Sequence, residues 1–268
     1  MDNLTFSIIT VSYNSERTIE RTIKSVLNQS CKDYEYIIVD GASNDSTIDI
    51  IKRYEPLFEG RLKWKSEPDK GIYNAMNKGI KQSSGKIIGI VNSDDWLNYD
   101  ALHILKNELE NNECARNKIL TGEVLFHYED ASTQLFPTSL EKYEYYSKKY
   151  RMGLNHPATF VPRRIYEEYG LFDERFKLYA DADFIIRCYK ANVGIYFIHR
   201  VLSNMSDGGA SNSSSRYELS DTYLKYKKHS SNTIEYYYLC IKAWLYILLK
   251  SVMPFWYIRW YRRRRNKK

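Results

Sequence analysis

The sequence predicts an α/β fold, a mostly parallel sheet flanked by helices, with a helical extension at its C-terminal end. Three observations predict it. Short β-branched runs alternate four times with stretches of helical period before residue 115. Each of these runs ends in small polar or acidic residues. The 268 residues, 43% hydrophobic and 27% charged, suit a chain with one sizeable core, which leaves out a peptide scaffold, a disordered chain and a multi-span membrane protein.

The elements follow in order. Phe6–Tyr13 is β-branched and stops at Asn14-Ser15, and the stretch to Gln29 places Ile19, Ile23, Val26 and Leu27 at helical spacing. The alternation repeats with a strand at 36–39 and a helix at 46–54, then a strand at 62–65 and a helix at 72–82. A fourth strand at 86–91 precedes a helix beyond Leu97. Four such units in succession imply parallel strands. Beyond residue 115 the pattern loosens into a hairpin over 119–136 and short helices at 140–149 and 163–169. A helix at 181–191 and a strand at 193–202 follow, and then a Gly/Ser-rich loop over 206–215.

Charge and cysteine usage narrow the partners. The net charge is +7, and the last ten residues carry five Arg and two Lys with no acid, so the charge sits in one tail. Beside an apolar run this points to an anionic membrane surface and away from nucleic acid. Cys31, Cys114, Cys188 and Cys240 show neither CxxC spacing nor histidine pairs, so neither zinc nor a disulfide framework is expected. The N-terminus enters the first strand without the marks of a signal peptide, and a cytoplasmic body is the expectation.

In open sheets of this kind ligands bind beyond the carboxyl ends of the strands. Those tips read Ser12-Tyr13-Asn14, Asp40-Gly41-Ala42-Ser43-Asn44-Asp45, Glu67-Pro68-Asp69-Lys70-Gly71 and Asn92-Ser93-Asp94-Asp95. Two adjacent carboxylates repel unless a cation or several donors compensate, so Asp94-Asp95 suits Mg²⁺ or Mn²⁺. On this pair alone, two solvated acids or a helix cap remain the alternative. Asp40 precedes a turn that Gly41 permits, with Asp45 or Ser46 as the cap of the next helix, and suits an acceptor for a base N–H or a ribose hydroxyl. No Gly-rich dinucleotide fingerprint and no P-loop occurs.

The ordered set IITVSYN, SVLNQS, IVDGASNDST, SEPDKGIYNAMNKGI and NSDD, continued by NHPATF, GLFDERF, ADADFIIR and GGAS, resembles the family 2 glycosyltransferases of GT-A fold, in particular their polysaccharide-biosynthesis subgroup. The resemblance implies a body over 1–215, with a nucleotide-sugar half at 1–114 and an acceptor half at 115–215, and a separate tail at 216–268. It implies donor contacts from Tyr13, Asp40, Asp69, Asn77 and Asp94, a metal ligand in Asp95, and acceptor-side places for His156 and Asp183. Asp181 matches the catalytic base. The implied reaction is inverting transfer from a nucleotide sugar, a UDP-sugar by expectation, to a glycan or lipid-linked glycan of a surface polysaccharide. A base must then face the anomeric carbon from the side opposite the departing diphosphate. Two other readings are kept: a non-catalytic nucleotide-sugar or glycan-binding module, and a nucleotidyltransferase. Retention of both strand-four acids and of Asp181 argues against the first. The second lacks the Gly-rich, Lys-containing start of its group.

In the tail, residues 236–261 are rich in Tyr, Trp, Leu and Ile. A span is disfavoured, because each central Lys costs roughly 2.5–3.5 kcal/mol and Pro254 interrupts the run. The expectation is an in-plane helix with a polybasic end, peripheral on the inner face of the cell membrane. Packing on the body or in a homodimer interface is the alternative.

Overall fold

The computed structural model describes residues 5–206 and 215–252. The chain divides into two compact units, Met1–Gly209 and Ala210–Lys268.

In the first unit, β1 (Phe6–Ser12) and β2 (Tyr34–Asp40) are buried along their whole length. Continuous apolar runs of this kind mark strands covered on both faces. β3 (Leu62–Ser66) carries exposed Lys63, Ser66 and Lys65 and lies at the edge, while β4 (Ile87–Ile90) is buried. These four run parallel in the order β3-β2-β1-β4. The helices between them turn one apolar stripe inward. α1 (Ile19–Leu27) buries Ile19, Thr22, Ile23 and Val26, and α2 (Thr47–Tyr54) buries Thr47, Ile50, Ile51 and Tyr54. Spacings of three and four residues place each set on one helical face. α3 (Ile72–Gln82) buries Tyr73, Met76, Asn77 and Ile80 in the same way.

The parallel pattern stops at β4. After β5 (Trp96–Leu97) and α4 (Ala101–Asn111) come β6 (Ile119–His127), β7 (Thr133–Phe136) and α5 (Leu140–Ser147). β8 (Thr159–Pro162), α6 (Arg163–Tyr169), α7 (Ala180–Lys190) and β9 (Ile195–Ser206) complete the unit. β8 pairs antiparallel with both β4 and β6, β7 and β5 pair antiparallel with β6 and β9, and only β6 and β9 are parallel. The result is one mixed sheet that continues through both of the expected halves. At the junction, a Cβ on Gly89 would come within 2.5 Å of the Phe160 ring, so β4 and β8 approach because residue 89 has no side chain.

The core cluster runs from Phe6 to Leu202 and includes Tyr34, Tyr36, Phe58, Leu102, Leu120 and Phe160. Cys31, Cys114, Cys188 and Cys240 are all free thiols. In the second unit, α8 (Ser215–His229) is followed by α9 (Thr233–Val252). Asn232 accepts from the Glu235 N–H at 2.9 Å and Glu235 reaches back to the Ser231 N–H at 2.7 Å, a reciprocal cap that starts α9 where it does. The polybasic end and most of the Gly/Ser-rich stretch lie outside the described residues.

Candidate active site

The carboxyl ends of β1, β2 and β3 are held in register by one carboxylate. Ser12 pairs with Asp40 and Asp40 with Ser66. Asp40 is fully buried; Oδ1 accepts from Ser12 Oγ at 2.9 Å and from Ser43 Oγ, and Oδ2 from the Ser43 N–H and Ser66 Oγ, both at 2.8 Å. These bonds engage all four of its acceptor positions. Asp40 therefore fixes the turn beside the site.

The turn it fixes brings neighbouring tips close together. Around Gly41, a Cβ would lie 2.6 Å from Asp69 Oδ2 and 3.4 Å from the Tyr13 ring, so the absent side chain lets a carboxylate and an aromatic face come close together. The Tyr13 side is 63% exposed. A ring to stack on and an acceptor at its edge suit a planar base carrying an N–H. Asp45 supplies the expected cap, accepting from the Thr47 N–H at 3.0 Å.

The acid pair lies beyond β4. Its backbone is bound tightly: the Asp94 carbonyl accepts from Arg21 at 2.8 Å and Ser206 Oγ at 3.0 Å, and the Asp95 carbonyl from Thr22 Oγ at 2.6 Å. Arg21 stacks 3.7 Å over the Trp96 ring. The side chains, in contrast, have few donors. Asp95 is 3% exposed and receives one long bond, 3.4 Å from Asn92 Nδ2. Burial, and then the charge of Asp94, hold the Asp95 carboxyl well above the usual carboxylate range; burial also raises Asp94, against the pull of Arg21. Asn92 Oδ1 is buried without a partner. Unspent oxygen lone pairs on two carboxylates and an amide fit a hard divalent cation, whose charge would offset the repulsion. No group of three or more His, Cys, Asp or Glu side chains suited to a metal occurs among the described residues, so the rest of such a cation's shell would fall to other oxygen donors. His199 stands 4.0 Å from Glu123 and is largely exposed.

Asp181 opens α7. Its Oδ1 accepts from the Ala182 N–H at 2.8 Å and from the Tyr73 hydroxyl at 3.3 Å. Burial, and then the Asp181 charge, push the Tyr73 phenol far up, so it stays a donor. Tyr73 stands in the first turn of α3, two residues beyond Gly71, and Lys177 donates to the Lys70 carbonyl at 3.2 Å. Asp181 is thereby fastened to the same rim that carries Asp69. Behind it, a small cavity is lined by His156, Asp181, Thr159, Tyr166, Phe172 and Phe184. His156 Nε2 is buried there without a partner, and burial holds the imidazole below its usual value against the pull of Asp181.

Two further expected site residues are bonded within the protein. Asn77 is 3% exposed; its amide donates to the Phe172 carbonyl and Glu174, both at 2.9 Å, and accepts from the Phe172 N–H at 3.0 Å. It fastens the 172–174 segment to α3. Asp183 is fully buried, 3.0 Å from Arg187, which also donates to the carbonyls of Tyr169, Gly170 and Leu171. That pair secures the turn before α7. Arg21, Trp96 and Tyr73 were missed by the sequence reading. The only sequence signal for Tyr73 was its place beside the acidic tip before α3.

Comparison with known proteins bears on the family and the fold. The model of "Glycosyl transferase family 2" matches residues 7–170. A PGL/p-HBAD biosynthesis glycosyltransferase of Mycobacterium bovis is 26% identical over 97% of this chain and 98% of its own length. An uncharacterized glycosyltransferase of Mycobacterium tuberculosis is 30% identical over 68% of each chain. Among solved structures, S. aureus TarS in complex with UDP-GlcNAc superposes with a TM-score of 0.64 at 18% identity, over 89% of this chain and 71% of that one. The chain spans 41% of the longer TarS structure. A mixed sheet with an acid pair after β4 and a family model over more than half the length lead to one conclusion: the chain belongs to glycosyl transferase family 2 and is a glycosyltransferase.

Proposed function

We propose that this enzyme transfers a sugar, with inversion, from a UDP-sugar to a hydroxyl of a glycan acceptor, with Asp181 as the base and a divalent cation at Asp94-Asp95. TarS, similar in fold, is solved with UDP-GlcNAc, and GalNAc-T7, of the same fold, with UDP, GalNAc and Mn²⁺. A curated relative matched over 98% of its own length is named a PGL/p-HBAD biosynthesis glycosyltransferase, which supports a role in glycan biosynthesis; the acceptor in this reading is lipid-linked, and the surface glycan is assembled at the cytoplasmic side.

In this reading Tyr13 stacks on the base and Asp69 accepts its N–H, while Asp40 keeps their turn in shape. Asp95 and Asp94, with Asn92, would hold a divalent cation, which would supply charge compensation for the leaving diphosphate. The acceptor oxygen bonds to the anomeric carbon as the bond to the diphosphate oxygen breaks. That electron pair leaves with the nucleotide, and the hydroxyl proton goes to Asp181. The Tyr73 hydroxyl holds Asp181 in place and stabilises its anion before the proton arrives.

The observation that carries the reading is the fastening of Asp181, through Tyr73, to the rim that also bears Tyr13, Gly41 and Asp69. The test is to compare Asp181→Asn and Asp95→Asn. Asp181→Asn is expected to lower turnover by about 10²–10⁴-fold while sparing UDP binding in the presence of Mn²⁺. Asp95→Asn should weaken that binding at least tenfold. Wild-type turnover in Asp181→Asn would sink the assignment.

A further inference from the structure

The second unit presents an apolar face that its own helices leave uncovered. On α9, Ile234, Tyr237, Tyr238, Ile241, Trp244, Leu245 and Leu248 are each 46–83% exposed. Their spacing of three and four residues places all seven on one stripe, while Glu235, Tyr236, Leu239, Cys240 and Ala243, less exposed, occupy another. Lys242 flanks the stripe, its ammonium 5.9 Å from the Tyr238 ring centroid.

We propose that this stripe is a membrane-docking face, and that its partner is the surface of an anionic phospholipid bilayer. Charge complementarity selects this occupant. The chain beyond α9 passes through Phe255, Trp256, Tyr257, Trp260 and Tyr261 and carries Arg259, Arg262, Arg263, Arg264, Arg265, Lys267 and Lys268 without an acid. Those seven positive charges equal the net charge of the whole protein. A stripe of Tyr, Trp, Ile and Leu beside a basic segment matches an acyl boundary beneath anionic headgroups. No helix among the described residues is long and apolar enough to cross a membrane, so α9 lies along the surface in this reading. A lysine beside the stripe can extend its amine toward the headgroups while its stem covers apolar area. The proposal stands apart from the transfer chemistry.

The test is flotation of the full chain with vesicles of phosphatidylcholine alone and with vesicles that also contain phosphatidylglycerol. The wild type is expected to float with the anionic vesicles and at least about tenfold less with the neutral ones. The double variant Ile241→Glu, Leu245→Glu should lose flotation with both while keeping the wild-type unfolding temperature, because both side chains are exposed. Replacing Arg262, Arg263, Arg264 and Arg265 by Gln should remove the preference for the anionic vesicles. Failure of the wild type to float with either vesicle would overturn the proposal. So would undiminished flotation of the stripe variant. If the wild type does not float and sediments as a dimer that the stripe variant breaks, the face belongs to a second copy. None of these outcomes depends on turnover, so the proposed transfer stands or falls separately.

Discussion

Glu35 and Asp95 are both nearly buried carboxylates, and their surroundings push them in opposite directions. Burial raises Glu35 too, but Ser7 Oγ at 2.7 Å, Lys63 at 2.9 Å and the Ser84 N–H and hydroxyl outweigh it and bring the group to about 2. Asp95 has one long donor and a like charge beside it. A charge fully met within the protein is part of the scaffold, whereas one left unmet awaits something from outside. The contrast is measurable. Glu35 has a folded value below its ordinary 4.5, so its contribution is complete above that pH and is lost as pH falls toward 2. Glu35→Gln, which removes the charge from these bonds, is expected to cost about 2–3 kcal/mol at neutral pH. Urea unfolding should show the gap between variant and wild type closing between pH 4.5 and pH 2. A gap that stays constant through this range would mean the carboxylate is not charged by its partners in the fold.

Among the elements, the link between α3 and the 172–174 segment decides where Asp181 stands. Asn77 makes three bonds to that segment, two of them to the backbone of Phe172. Asn77→Ala leaves a buried N–H and a carbonyl of Phe172 without that partner, and an expected loss of about 2–4 kcal/mol follows. Because the segment leads into α7, turnover should fall while UDP affinity changes less than threefold. Calorimetry with UDP separates this from the donor contact that the motif implies, which predicts the reverse. The same residue shows how much of the site was legible. Type and position could be read from the tips, since ligands in such sheets bind beyond the carboxyl ends of the strands. Whether a polar group faces the ligand or the scaffold is a matter of partners, and those of Asn77, Asp40 and Asp183 come from segments 26 to 95 residues away or from a neighbouring turn. The strands missed have equally physical reasons. β5 has two residues and β8 is four residues ending in Pro162, both too short to carry a period of their own. The antiparallel pairing of β8 depends on Gly89 meeting Phe160 across the sheet, which no local pattern announces.

At the scale of the whole molecule, every strand of the sheet lies within residues 6–206, and the hydrophobic cluster that holds the sheet takes its buried members from Phe6 to Leu202. The N-terminal four strands were readable as parallel because each has its own helix to return the chain. The later strands lack that rhythm, and the sheet becomes mixed where β8 enters between β4 and β6. A core closed before residue 207 should not need the helices that follow. A chain ending at Gly209 is therefore expected to unfold in one cooperative transition within about 5 °C of the full-length protein, since a stability change of 1 kcal/mol moves the midpoint of a domain this size by about 2–4 °C. It should bind UDP in the presence of Mn²⁺ with unchanged affinity, because Tyr13, Asp69, Asp94 and Asp95 all precede the cut. The same truncated chain should stay at the bottom of a flotation gradient, with α9 and the basic residues removed. Scanning calorimetry, titration with UDP and flotation would be run on one preparation. Loss of the cooperative transition would show that α8 and α9 help to hold the sheet. Intact folding with lost UDP binding would place part of the donor site in the second unit, against the reading that the rim of the sheet suffices.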